Sequence, residues 1–254
     1  MLGMFMSKIH PILMNTPMVK ATLDGTKTQT RRVVKPQPVS PYEYAPEVNV
    51  ITTCPFESVE KGFLACYKLG HVSHSFGKSL FPPYMPGDIL YVRETWREWH
   101  PSDSECGCGG DYCTCSVRPS TPACYKADGH IIEDEDREVY GLKWKPSIHM
   151  PKRVARLFLK VTKVRVERLQ QISIDDIERE GTNVSRCLGL PACGSPYTEC
   201  DDCEKAMEEA ARYDFETLWD STTTKPGTRW ADNPWVWVYE FEKCDKPEGW
   251  GKDA

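Results

Sequence analysis

The clearest pattern along the chain is the alternation of apolar and polar residues over 155–169 (ARLFLKVTKVRVERL). A period of two is typical of a β-strand that buries one face. The apolar phase changes near Thr162, which predicts a bulge at that point. A turn followed by a second alternating strand is predicted over 86–96 (PGDILYVRETW), and a final strand over 233–244 (NPWVWVYEFEKC).

Helical signals lie between these strands. Residues 10–27 (HPILMNTPMVKATLDGTK) predict a strand and then a short helix with Thr16 as its N-cap. Residues 173–181 (SIDDIEREG) predict a helix that begins with a capping box, and residues 204–221 predict a longer amphipathic helix. Strands outnumber helices and are separated by inserts. This pattern favours an α+β fold, a small β-barrel with peripheral helices, over a parallel doubly wound sheet.

The chain has 254 residues, which we interpret as a single domain spanning 1–254 with inserts at about 36–86, 97–143 and 182–202. The net charge of -5 argues against a general polyanion binder. The longest apolar runs are too short to span a membrane, so no membrane partner is expected. The apolar N-terminal stretch lacks a basic region and a small-residue cleavage site. We therefore interpret it as a first strand and expect a cytoplasmic protein.

The chain contains twelve cysteines, most of them in two clusters. Clustered thiols without an export signal indicate metal binding, and structural zinc sites are often all-thiolate. The sequence predicts structural zinc, held as one shared ion or as two, while free or oxidised thiols are the alternative; no organic cofactor is expected. The predicted ligands are Cys106, Cys108, Cys113, Cys115, Cys187, Cys193, Cys200 and Cys203.

Four segments occur in an order that resembles a known family. They are 23–32 (LDGTKTQTRR), 86–96 (PGDILYVRETW), 161–181 (VTKVRVERLQQISIDDIEREG) and 233–242 (NPWVWVYEFE). Together they resemble the ASCH domain, a relative of the PUA fold, whose pattern begins with a helix ending in G-x-K-T-x-T-x-R. The four segments are spread over nearly the whole chain. With the segments KPSIHMP and ADNPWVW, the chain is most similar to ASCH proteins of bacteriophages and prophages, which implies the cytoplasm of the host.

The resemblance also implies an activity. Small bacterial members of the family hydrolyse N4-acetylcytidine with a lysine, a threonine three residues later, and a glutamate after the barrel strand. The matching positions are Lys27, Thr30 and Glu180, and Arg32 matches the arginine that follows. The resemblance therefore implies an amidohydrolase that removes an acyl group from a modified cytosine nucleoside. The long inserts depart from the family pattern, so the resemblance does not define the size or the identity of the substrate.

Two mechanisms are consistent with these residues. In the first, Thr30 is the nucleophile, Lys27 the base and Glu180 the acid. This version needs a lowered lysine pKa, which burial or nearby arginines would give, and Glu180 lies at a helix end where the dipole disfavours an anion. In the second, Glu180 activates water and a cationic Lys27 stabilises the oxyanion. A plain solvated loop is the alternative interpretation of the threonine-rich turn.

A nucleic-acid surface is a further hypothesis. Residues 143–168 contain nine lysines and arginines against one acid, Glu167, a local charge of +8. The alternative is the solvated face of a strand. The residues predicted to bind substrate or phosphate are Arg31, Arg32, Arg93, Lys152 and Arg153. The expected partners are a modified nucleoside, RNA or DNA. A non-catalytic binding module and a phage regulatory module that binds a protein through the inserts are the alternatives to an enzyme.

Overall fold

The structure is a computed structural model that describes residues 7–37, 50–51, 65–67, 79–80, 82–98, 123–132, 134–182, 201–223 and 225–250. These residues form an α+β structure. The strands are β1 (Ile9–Leu13), β2 (Gln29–Val33), β3 (Val50–Ile51), β4 (Ala65–Tyr67), β5 (Ser79–Leu80), β6 (Ile89–Arg93), β7 (Trp96–Glu98), β8 (Ala123–Tyr125), β9 (Phe158–Arg168) and β10 (Trp235–Cys244). The helices are α1 (Thr16–Asp24), α2 (Asp134–Tyr140), α3 (Ile174–Arg179) and α4 (Asp201–Thr222).

The main sheet contains five strands in the order β1-β6-β9-β10-β2, with β1 and β2 at its edges. The α+β class is therefore confirmed, but among the described residues the sheet is open and does not close into the predicted barrel. Alternation along a strand indicates which face is buried and carries no information about whether the two end strands meet. Pro11 in β1 lacks a backbone N–H, and a proline of this kind suits an edge strand.

The predicted inserts contain further strands. We predicted residues 36–86 to be irregular, but β3, β4 and β5 form a three-stranded sheet there with antiparallel pairing. Within the insert at 97–143, β7 pairs antiparallel with β8, and α2 follows. These strands are only two or three residues long, so they are too short to show an alternating pattern in the sequence.

The long strand β9 confirms the predicted change of phase. Leu159 and Val161 are buried in its first half, and Val164 and Val166 are buried in its second half. Between them Thr162 is exposed together with its neighbour, so the buried positions move by one residue. A shift of one residue turns the apolar side chains to the other face of a strand.

The helices begin largely where their capping signals lie. Ser173 accepts a hydrogen bond from the Asp176 backbone N–H at 3.2 Å, which confirms the predicted N-cap of α3. The predicted N-cap of α1 was one residue too late, because Asn15 Oδ1 accepts from the Met18 backbone N–H at 3.0 Å. Both asparagine and threonine are good N-cap residues, so the sequence alone did not separate them.

The chain divides into two compact units. The first contains Met1–Leu23, Ile89–Lys160 and Lys243–Ala254. In it β1 runs parallel to β6, with Ile9 beside Ile89. Its core includes Trp96, Tyr125, Met150, Val154, Phe158 and Trp250.

The first unit also holds a buried ion pair. Glu94 is 1% exposed and receives two hydrogen bonds from Arg156, at 3.0 and 3.1 Å. Arg156 also pairs with Asp128 at 2.7 Å, and its guanidinium lies 3.9 Å from the centre of the Tyr125 ring. Burial raises the pKa of Glu94, and Arg156 opposes that effect. The two-point contact orients both side chains, so the cluster has a structural role in this unit.

The second unit contains Asp24–Asp88 and Val161–Glu242. In it β10 runs antiparallel to β2, with Tyr239 opposite Thr30. Helices α3 and α4 pack on one side of these strands. The core formed there includes Leu169, Ile172, Ile177, Ala211, Phe215, Val236 and Val238.

Replacing Ser173 with alanine is expected to destabilise the protein by about 1 kcal/mol, because the α3 N-cap loses its acceptor. Urea denaturation followed by circular dichroism measures the change. Ser221→Ala is the matched control, because Ser221 is also exposed but lies at the end of α4, where no N-cap is lost. Equal stability of Ser173→Ala and the wild type would contradict the capping role.

Within the described residues, no helix is long and apolar enough to cross a membrane.

Candidate active site

The segment that carries Lys27 is fixed by backbone hydrogen bonds on both sides. After α1 the chain turns at Gly25, whose φ of 85° lies in the left-handed region that glycine adopts readily. The Thr28 N–H then donates to the Arg179 carbonyl at 2.9 Å, and the Thr28 carbonyl accepts from the Phe241 N–H at 2.9 Å. The start of β2 is therefore tied to the end of α3 and to β10.

Lys27 and Glu180 form a buried pair. The Lys27 side chain has no exposed surface, and its Nζ donates to Glu180 Oε2 and to the Glu180 backbone carbonyl, both at 2.8 Å. Glu180 directly follows α3, so the ammonium also satisfies a carbonyl at the C-terminal end of that helix. Burial lowers the pKa of Lys27, and this effect outweighs the opposing attraction of Glu180. Arg31 and Arg32 lower the pKa further.

Thr30 is bound by Arg32. The Arg32 Nη1 group donates to Thr30 Oγ1 at 2.8 Å and to the Arg31 carbonyl at 2.9 Å. Thr30 is buried, and its hydroxyl donates to none of the residues that the structure describes. The same described set contains no hydrogen bond between Lys27 and Thr30. The structure therefore pairs Lys27 directly with Glu180 and places Arg32 on the hydroxyl of Thr30.

Arg31 has a different environment from Arg32. Its fully buried guanidinium donates to three carboxylates: Glu167 at 2.5 Å, Asp176 at 2.7 Å and Glu180 at 3.0 Å. We predicted that Arg31 binds substrate or phosphate, but all three of its nitrogens face carboxylates of the protein. This geometry is that of an internal ion pair network. The sequence did not indicate it, because the three acids lie far from Arg31 along the chain.

Arg165 extends the same network. It contacts Asp176 at 2.6 Å, Glu240 at 2.6 Å and Glu167 at 3.2 Å, and it donates to Gln29 Oε1 at 3.3 Å. Burial raises the pKa of Asp176, but the two arginines outweigh burial and hold this pKa below its ordinary value. Asp176 is therefore ionised at neutral pH.

Sequence analysis missed two tyrosines beside Thr30 and Arg32. Tyr239 is fully buried on β10, and Tyr84 is half-buried just before the turn that leads to β6. Their rings lie 5.0 Å apart between centroids at 58°. The alternation of the final strand could have indicated that Tyr239 is buried with Trp237 on one face of that strand, but not that Thr30 lies opposite it. Tyr84 lay in a stretch that we interpreted as an irregular insert.

The other predicted phosphate ligands belong to the first unit. Arg93 donates to the carbonyls of Met150 (2.9 Å) and Ile148, so its guanidinium holds backbone. Lys152 lies with its Nζ 4.4 Å from the centre of the Trp250 ring, and Arg153 is exposed. Lys27, Thr30, Arg31, Arg32 and Glu180 all belong to the second unit. Of the five residues predicted to bind substrate or phosphate, two therefore lie in the second unit and three in the first.

The basic stretch at 143–168 is partly neutralised. Carboxylates pair with Lys145, Arg156, Lys163 and Arg165. Most of the acids come from outside the stretch: Glu94, Glu98, Asp128, Asp176 and Glu240. Much of the local charge of +8 counted along the sequence is therefore balanced by carboxylates in the folded protein.

The side chains of all eight predicted zinc ligands lie outside the described residues. Cys203 falls within α4, but its side chain is also undescribed. Among the described residues, no group of three or more potential ligands is arranged to hold a metal. The zinc site stays a prediction.

Searches for related proteins found no match among known protein families, curated proteins or solved structures. The geometry of the site and the resemblance of its motifs are therefore the basis for a functional proposal.

Proposed function

We propose that this protein is an amidohydrolase of the ASCH type, with a PUA-like fold, that removes an acyl group from the exocyclic nitrogen of a modified cytosine nucleoside. The observation that carries the proposal is the buried pair of Lys27 and Glu180, joined at 2.8 Å, in the same unit as Thr30. Burying a lysine is costly, and enzymes use such lysines as bases because burial favours the neutral amine.

Thr30 is the proposed nucleophile. Its hydroxyl accepts a hydrogen bond from Arg32 at 2.8 Å, and this cationic donor stabilises the negative charge that develops on the oxygen during attack. The proton of the hydroxyl has no acceptor among the described residues, so it is available to a base. The base is Lys27, whose pKa burial lowers.

The proposed reaction has two stages, acylation of Thr30 and hydrolysis of the acyl-threonine ester. Thr30 Oγ1 bonds to the acyl carbon, its proton passes to neutral Lys27, and the carbon–nitrogen bond breaks. Glu180 accepts a proton from Lys27 through the 2.8 Å contact and gives it to the departing amino nitrogen. Water then attacks the acyl-threonine ester, releases the carboxylic acid and returns the proton to Thr30. In the second mechanism Glu180 activates water directly, and an acyl-enzyme never forms.

A binding module is the second candidate. The observation in its favour is a set of basic side chains in the first unit that are exposed and form no ion pair with described residues. They are Lys143, Lys152, Arg153 and Lys160. Such cations suit contacts with a phosphate backbone, and binding through them would weaken steeply with salt.

Hydrolysis of N4-acetylcytidine by the purified protein tests the proposal. We expect kcat/KM to rise with pH and to level off below about pH 10.4, the ordinary pKa of lysine, because the active form carries neutral Lys27 and burial lowers its pKa. Loss of the acetylated base is followed by absorbance across the neutral and alkaline range.

Lys27→Met is the control for that profile, since it keeps the length of the side chain and removes the amine. It should show neither the reaction nor the rise with pH. A wild-type protein without turnover, together with salt-dependent binding of an RNA oligonucleotide, would favour the binding module instead.

A further inference from the structure

Tyr239 places a buried polar atom beside the proposed nucleophile. It lies opposite Thr30 in the antiparallel pair of β10 and β2, so the two side chains lie on the same face. Tyr239 is 0% exposed, and its hydroxyl has no hydrogen-bond partner of normal geometry among the residues described by the structure. A buried hydroxyl without a partner is uncommon in folded proteins, and a catalytic role is one explanation for it.

The surroundings of this hydroxyl determine the kind of atom that it would bind. Arg32 interacts electrostatically with Tyr239, but a guanidinium has only donors and cannot accept the tyrosine proton. The backbone N–H of Tyr84 lies near the same oxygen and is also a donor. Burial raises the pKa of Tyr239, so its hydroxyl keeps the proton at neutral pH. The group is therefore a neutral donor without an acceptor in the part of the chain that the structure describes.

Arg32 connects this donor to the proposed chemistry. Its Nη1 is 2.8 Å from Thr30 Oγ1, and its charge also acts on Tyr239 and Tyr84. A carbonyl group attacked by Thr30 would lie next to that oxygen. The oxygen of that carbonyl group would need a hydrogen-bond donor as negative charge develops on it. A donor that is held in place and shielded from water is most effective in this role.

We propose that the Tyr239 hydroxyl donates a hydrogen bond to the carbonyl oxygen of the amide that Thr30 attacks. The inference rests on the proposed function and adds a catalytic residue to it. As the bond from Thr30 to the acyl carbon forms, the π electrons of the carbonyl move to its oxygen, which accepts the hydrogen bond. When the carbonyl re-forms, the carbon–nitrogen bond breaks and the amino nitrogen leaves with its proton from Glu180.

Tyr84 is the positioning residue for this donor. Its ring packs on the Tyr239 ring at 5.0 Å and a tilt of 58°, which limits rotation of the buried phenol. Tyr84 is half-buried, whereas Tyr239 is fully covered.

Tyr239→Phe tests the proposal, since it removes one oxygen and keeps the ring. We expect kcat for N4-acetylcytidine to fall by about 10²-fold with little change in KM, because the contact strengthens only as charge develops on the carbonyl oxygen. The Tm should change little, since the hydroxyl donates no hydrogen bond to the residues that the structure describes. Tyr213→Phe is the control, because it also loses one hydroxyl and keeps the ring, but its side chain is exposed on α4, and it should retain full activity.

The outcomes separate this inference from the proposed function. Active wild type with equally active Tyr239→Phe would overturn the inference and leave the hydrolase intact. If the wild type does not turn over N4-acetylcytidine, calorimetry measures binding of N4-acetylcytidine and of cytidine. A preference for the acetylated compound that Tyr239→Phe loses would support the carbonyl contact without hydrolysis. No binding of either compound to the wild type would overturn both proposals.

Discussion

Thr30→Val is expected to abolish hydrolysis of N4-acetylcytidine, with a loss of at least about 10³-fold in kcat, because the variant lacks the oxygen that attacks the acyl carbon. Valine has nearly the shape of threonine, so the β2–β10 pairing and the buried packing should persist. The loss is measured by the absorbance of the acetylated base under single-turnover conditions. The contact that Thr30 accepts from Arg32 would also be lost, but Arg32 keeps its bond to the Arg31 carbonyl.

Thr28→Val is the control within the same motif. Thr28 is exposed, lies two residues earlier and engages its neighbours through backbone groups, so its hydroxyl is dispensable. Mass spectrometry of the wild type under rapid quench would reveal an acyl group on Thr30 if the threonine is the nucleophile. Full activity of Thr30→Val would instead favour the mechanism in which Glu180 activates water.

Arg31→Met is expected to lower the free energy of unfolding by about 3–5 kcal/mol, since it leaves buried carboxylates without their shared cation. Glu167, Asp176 and Glu180 each contact Arg31 at 3.0 Å or less. Methionine has a similar volume to arginine, so the loss of stability comes mainly from the missing charge and not from a cavity. Urea denaturation at neutral pH measures it. Lowering the pH through the lowered pKa of Asp176 should reduce the difference, because the protonated carboxyl no longer pairs with Arg31 in the wild type.

Arg165→Met is the matched control for the network. Arg165 contacts two of the same acids, but about a quarter of its side chain is exposed, so water can replace part of the lost interaction. We expect a clearly smaller loss than for Arg31→Met. An equal loss of unfolding free energy in Arg31→Met and Arg165→Met would contradict the claim that removing the buried arginine is the more costly change.

The sequence predicted the elements better than their assembly. The alternation in β9 with its change of phase, the N-cap at Ser173 and most of α4 all depend on neighbouring residues, and each was found from them. The open sheet depends on which strands lie at the edges, and alternation does not encode that. The short strands of the inserts are below the length at which a period is visible.

The same distinction applies to the site. Lys27, Thr30 and Glu180 were predicted from motif resemblance, and the structure joins Lys27 to Glu180 although 153 positions separate them. Different environments for Arg31 and Arg32 are expected on a strand, because adjacent residues face opposite sides. The carboxylates that bind Arg31 come from distant segments, so a count of charges along the chain could not show that this arginine lies in a buried ion pair network.

The carboxylate of Glu180 is divided between two cations: one oxygen binds Lys27 and the other binds Arg31. Selection for a stable fold and selection for the proposed reaction would therefore preserve the same side chain. A descendant of this protein that lost the reaction would still be penalised for losing Glu180, because Arg31 and Lys27 would remain buried without it. Retention of this lysine–glutamate pair in a related chain would thus indicate a shared architecture, and the hydroxyls of Thr30 and Tyr239 would be the positions that distinguish an enzyme from a binding protein.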